Sequence, residues 1–119
     1  MNTRILICDD DAEMVNLIAK ILRGNQYDVD VITHMVGFMD KVKELDPDII
    51  LMDYQMPDIN GVEAAKMLYE DEDLAHIPVV FMSGHELIEK HAQQLNKLYI
   101  KKPFDIDNLR AILSAYAIG

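Results

Sequence analysis

Ile5-Leu6-Ile7-Cys8, Ile49-Ile50-Leu51-Met52 and Val79-Val80-Phe81-Met82 are strand-length runs that are apolar at every position. A strand with one wet face alternates apolar and polar residues. A continuously apolar strand needs cover on both faces, as in a parallel sheet held between helical layers. Strands are expected at about 3–8, 27–32, 48–52, 77–82 and 98–101. Tyr27-Asp28-Val29-Asp30-Val31 alternates instead, which places that strand at an edge of the sheet. Helical spacing fills the intervals. Met14, Leu17, Ile18, Ile21 and Leu22 share one face of a first helix, and Gly24 stands as its stop. Ile106, Leu109, Ile112, Leu113 and Tyr116 repeat the pattern in a last helix, with Asp105 as its N-cap. Weaker helical patterns cover 35–44, 62–70 and 85–95, the last of these being the most polar. The alternation predicts a doubly wound α/β domain over residues 1–119, a five-stranded parallel sheet flanked by five helices.

Half of the 119 residues are apolar, enough for one core. No apolar stretch approaches the roughly 20 residues of a membrane-spanning helix, and no secretory leader pattern follows Met1. Cys8, the single cysteine, lies inside an apolar run and reads as a reduced, buried thiol, which suits the cytoplasm. The net charge of −10 argues against direct nucleic-acid binding, which needs a basic stripe to displace counterions. A bound cation or a partner with a basic rim fits that charge better. His34, His76, His85 and His91 have no zinc-ligand spacing.

Polar residues gather where the strands end. Asp9-Asp10-Asp11 follows the first apolar run, and Asp53 closes the third. Ser83 follows the fourth strand, and Lys102 follows the fifth. In a right-handed doubly wound sheet these ends share one edge, where α/β proteins keep their sites. Carboxylates crowded into one pocket repel, so they call for a cation or raised pKa values. Asp11 reads as a helix N-cap, leaving Asp9 and Asp10 for a metal.

These residues, in order, resemble the receiver domain of two-component response regulators, of the chemotaxis-regulator type. The resemblance spans essentially the whole chain. It rests on Ile5-Leu6-Ile7-Cys8-Asp9-Asp10, Asp53 with Met56-Pro57-Asp58-Ile59-Asn60-Gly61, Met82-Ser83-Gly84, and Tyr99-Ile100-Lys101-Lys102-Pro103-Phe104. It implies a flavodoxin-like fold in which Asp53 accepts a phosphoryl group from a histidine kinase or phosphotransfer protein. It also implies Mg²⁺ (or Mn²⁺) held by Asp9, Asp10, Asp53 and the backbone carbonyl of Gln55. Lys102 would neutralise the phosphoryl oxygens and Ser83 would hydrogen-bond one of them. Ser83 and Tyr99 would switch the face made by the 85–95 segment, the fifth strand and the last helix, which an unidentified downstream protein reads. Gln55, Met56, Gly84 and His85 would tune the pocket. Such a chain modifies and dephosphorylates only itself, and family members often form homodimers. Between Ser83 and Lys102 the chain is shorter than is usual in the family by roughly one helical turn. Leu95-Asn96-Lys97-Leu98 stands there in place of the family's Gly-Ala pair.

Two other readings remain. Asp9-Asp10-Asp11 contains the Asp-x-Asp of Mg²⁺-dependent phosphatases of the haloacid dehalogenase type, although Ala12-Glu13 replaces the expected Gly-Thr. The chain could also serve as a receiver-like interaction module that is never phosphorylated.

Overall fold

In a computed structural model of the protein, the residues described are 2–53, 56, 59, 61–83, 98–101 and 106–115. For Ser83, residues 98–101, Ile106, Asn108, Ile112 and Ala115 the description is of the backbone alone. The elements are β1 (Arg4–Cys8), α1 (Ala12–Arg23), β2 (Asp28–Ile32), α2 (Phe38–Leu45), β3 (Ile49–Asp53), α3 (Gly61–Glu70), β4 (Val79–Ser83), β5 (Leu98–Lys101) and α4 (Ile106–Ala115). All five expected strands are present, in one parallel sheet of order β2-β1-β3-β4-β5. The alternating strand β2 lies at the edge, with Asp28 and Asp30 exposed and Val29 buried. The helix expected at 85–95 and the cap at Asp105 lie outside the described residues.

The continuous apolar runs are explained by two cores, one on each face of the sheet. Leu6, Cys8, Ile50, Met52 and Phe81 pack under α2 and α3 with Phe38, Val42, Ala64 and Leu68. Ile5, Ile7, Ile49, Leu51, Val80 and Met82 pack under α1 and α4 with Val15, Ile18, Leu22, Leu109 and Leu113. Successive strand residues point to opposite faces, so each run fills both layers and no position is left for water.

Helix α1 starts as expected: Asp11 is the N-cap, its side chain accepting from the Met14 N–H at 3.1 Å. Its buried face is rotated from the expected stripe. Val15, Ile18, Ala19 and Leu22 are buried, whereas Leu17 is 60% exposed and Ile21 stands at the surface. Ala19 is small enough to let the helix close on the sheet, and this outweighs the larger side chains beside it.

Helix α1 ends at Gly24 as expected, but that glycine does not make the left-handed turn. Gly24 is right-handed, with φ −66°, and the left-handed residue is Gln26, with φ 71°. Tyr27 N–H donates to the Leu22 carbonyl at 3.2 Å and Gln26 N–H to the Arg23 carbonyl at 3.3 Å. This pair of bonds is a Schellman closure with Gln26 in the seat that glycine usually takes. A side chain in that conformation costs about 1–2 kcal/mol. Gln26→Gly keeps both backbone bonds and is expected to stabilise the fold by about 1 kcal/mol, after the entropy glycine adds to the unfolded chain. A rise in the urea midpoint with unchanged slope is the check.

Helix α2 starts three residues after the expected 35, because Gly37 is left-handed, with φ 72°, and turns the chain into Phe38. Beyond α3, Asp71 organises the turn into β4: its carboxylate accepts from the Asp73 N–H and its carbonyl from Leu74 and Ala75.

Candidate functional site: an aspartate cluster at the sheet edge

The sheet's strand order reverses direction at β1 and β3. From this pair the connections diverge to opposite faces, leaving a crevice beyond the strands' carboxyl ends. The register sets Cys8 beside Met52, so the next residues along, Asp9 and Asp53, face one another across the crevice. Both are buried, Asp9 completely and Asp53 to within 6%. Asp10 joins them from the exposed side, and the three carboxylates offer oxygens all within 4.8 Å of one another. Among the described residues this is the one acidic, His or Cys grouping with that geometry.

Local bonds hold the cluster in place. The Asp9 carboxylate accepts from the Asp11 N–H at 3.0 Å, and the Asp9 N–H donates to the Ile32 carbonyl at 3.1 Å. Asp9 thus shapes the turn that hands the chain from β1 to the α1 cap. Cys8, one residue earlier, is fully buried; desolvation first, and then the charge of Asp9, push its thiol far above the usual range. It is a core thiol, as its sequence setting suggested.

The other expected site residues stand as follows. Ser83 ends β4 one step beyond the Asp53–Met82 pairing, and it pairs with Lys101 on β5. The backbones of β3, β4 and β5 therefore bring Asp53, Ser83 and Lys101 to the same edge of the sheet. Tyr99 lies within β5, paired with Phe81. Gln55, Gly84, His85 and Lys102 lie outside the described residues. Met56 is buried, and its side chain packs in the core under α2 and α3 with Met35 and Met52. It ties the loop after Asp53 into the core. The resemblance makes Met56 a pocket-tuning residue; its side chain lies instead in the core, because a thioether chain gains more from burial than from a polar pocket.

Three carboxylates so placed suit a hard divalent cation. Mg²⁺ takes oxygen ligands and is commonly bound by one or two carboxylates plus water and phosphate oxygens. A cation among them also lowers the repulsion between neighbouring carboxylates.

Comparison with known proteins agrees with this geometry. The response regulator receiver domain family matches residues 5–114. The polar-differentiation response regulator DivK of Brucella ovis is 30% identical over 121 residues, covering 98% of this chain and 97% of DivK. The DNA-binding response regulator MtrA of Mycolicibacterium paratuberculosis is 34% identical over 84 residues, covering 71% of this chain and 36% of MtrA. The chemotaxis response regulator CheY4 of Vibrio cholerae has the same fold, with a TM-score of 0.87 at 19% identity, covering 98% of this chain and 100% of that one. Fold and sequence point the same way from the first strand to the last helix, and the chain belongs to the response regulator receiver family of two-component signalling.

Proposed function

We propose that this receiver is a phosphorylation switch in which Asp53 accepts a phosphoryl group from a histidine kinase or phosphotransfer protein. The observation that carries the reading is the meeting of Asp9, Asp10 and Asp53 at the switch point of the sheet. Asp9, Asp10 and Asp53 would hold Mg²⁺, with the backbone carbonyl of Gln55 as a further oxygen. When bound, the ion offsets the negative charge of the phosphoryl oxygens.

The chain's own part is nucleophile and cradle. A carboxylate oxygen of Asp53 forms a bond to phosphorus while the phosphorus–nitrogen bond to the donor histidine breaks. The electron pair stays on that nitrogen, and the donor ring, protonated on its other nitrogen, leaves as neutral imidazole. Lys102 supplies positive charge to the phosphoryl oxygens and Ser83 a hydroxyl donor. Hydrolysis returns the carboxylate and inorganic phosphate, so the chain turns over no substrate but itself. Gln55 and His85 would shape the approach of water, with Gly84 tuning the pocket beside them. Ser83 and Tyr99 would pass the change to the face that includes β5 and α4, to which the sequence also assigns the 85–95 segment. A cytoplasmic setting accords with the kinase donor and with the buried thiol of Cys8.

Acetyl phosphate with Mg²⁺, followed by intact mass, tests the reading. The expected result is one added phosphoryl group on the wild type, and none with chelator or in Asp53→Asn. An unmodified wild type that releases no Asp53-dependent phosphate would make the chain a binding module. Sustained turnover of a small phosphate ester would make it a phosphatase.

A further inference from the structure

Helices α2 and α3 leave a groove between them that the phosphoryl chemistry does not use. Its cavity has a volume of about 210 Å³ and is lined by Met35, Phe38, Met39, Ile59 and Met67, with Asp40 among the lining residues. Phe38 and Met35 are buried and form the floor, while Met67 is 39% exposed. Val36, next in the chain to Met35, is 73% exposed. Four residues beyond Met39 on α2, Lys43 pairs with Asp71, just past α3, at 3.5 Å. That ion pair bridges the two helices one turn further along.

Size and charge together select an occupant. Pockets for drug-sized ligands run to roughly 300–1,000 Å³, so this one is small for a metabolite or cofactor. It suits one or two apolar side chains anchored from outside, the mode in which an amphipathic helix lies in a groove. Methionine lining adapts to such anchors because its thioether chain is flexible and polarisable. The surround is acidic: Asp40 lies on the α2 side, and Glu70 shares the helical face of Met67 on α3. A chain of net charge −10 adds to that field.

We infer that the α2–α3 groove docks a basic amphipathic helix of a partner protein, one that inserts an apolar side chain between Met39 and Met67 and sets Lys or Arg against Asp40. This surface lies on the opposite side of the sheet from α4. Binding there is independent of the reaction proposed at Asp53.

The test titrates the full chain, labelled with ¹³C at its methionine methyls, with a synthetic Leu/Lys amphipathic helix at physiological salt. A Leu/Glu helix of the same apolar pattern serves as control. Saturable shifts of the Met39 and Met67 methyls are expected with the Leu/Lys peptide, and none with the Leu/Glu peptide. Met67→Gln and Asp40→Lys, each verified as folded by its amide spectrum, are expected to weaken binding at least tenfold. No saturable shift, equal binding of both peptides, or unchanged affinity in both variants would overturn the inference. So would shifts centred on Met14, which would place the peptide on α1 beside Leu17 and Ile21. Concentration-dependent shifts of Met39 and Met67 without peptide would assign the groove to a second copy of the chain instead.

Discussion

Phe81→Ala is expected to cost about 3–5 kcal/mol, the range for removing a buried aromatic side chain from a core. Phe81 is fully buried on β4, paired with Met52 on β3 and Tyr99 on β5, and it packs into the core under α2 and α3. The loss has two parts: the transfer free energy of the ring, and the cavity left where strand backbones cannot collapse. A domain of ordinary stability holds about 5–15 kcal/mol, so the variant gives up a fifth of that or more. With a urea slope of about 1–3 kcal/mol/M, the unfolding midpoint should fall by more than 1 M. Val36→Ala, at a position 73% exposed, should stay within about 0.5 kcal/mol of wild type. A Phe81→Ala cost below that of an ordinary surface change would contradict the packing of the α2–α3 layer.

The second large effect is a reversal of sign. Asp9, Asp10 and Asp53 repel one another in metal-free buffer, and a divalent cation turns that repulsion into binding. Mg²⁺ at 100 times its dissociation constant stabilises the folded state by about 2.7 kcal/mol, if the unfolded chain does not bind it. At roughly 3–6 °C per kcal/mol for a domain of this size, the melting temperature should rise by roughly 10 °C. Asp10→Asn removes one charge from the exposed side of the cluster. Without metal it should melt no lower than wild type; in saturating Mg²⁺ it should melt lower. A merely structural role for these carboxylates would lower the melting temperature in both buffers, so the crossing of the two curves is the diagnostic. Asp9 is a poorer probe, because its carboxylate also accepts the Asp11 N–H and its loss would disturb the turn itself.

Much of this architecture was legible in the chain because hydration is a local property. A run such as Ile49-Ile50-Leu51-Met52 has no wet face whatever surrounds it, and a parallel, doubly covered strand is the answer the structure gives. Acids at the exits of such runs also announce themselves, since burying a charge in the strand's centre would be costly. Asp11 as a cap, β2 as an edge and the lone core thiol belong to the same legible class.

What the chain could not announce depends on who stands beside whom. The facing of α1 came out rotated because contact with the sheet favoured Ala19 and Val15 over the bulkier Leu17 and Ile21. Gln26 took the left-handed seat, with Gly24 two residues away, because closure onto Leu22 fixes the position of the turn, not the identity of its residue.

The apolar runs, their terminal acids and the helical spacing are sequence properties, and they alone define a parallel α/β chain with carboxylates at one edge. Only the tertiary structure sets β1 against β3 in the register that brings Asp9 opposite Asp53, and α2 against α3 with a groove left between them. The first joins residues more than forty positions apart, such as Cys8 and Met52, the second residues well beyond one element's reach, such as Lys43 and Asp71, and no local pattern encodes distances of that kind.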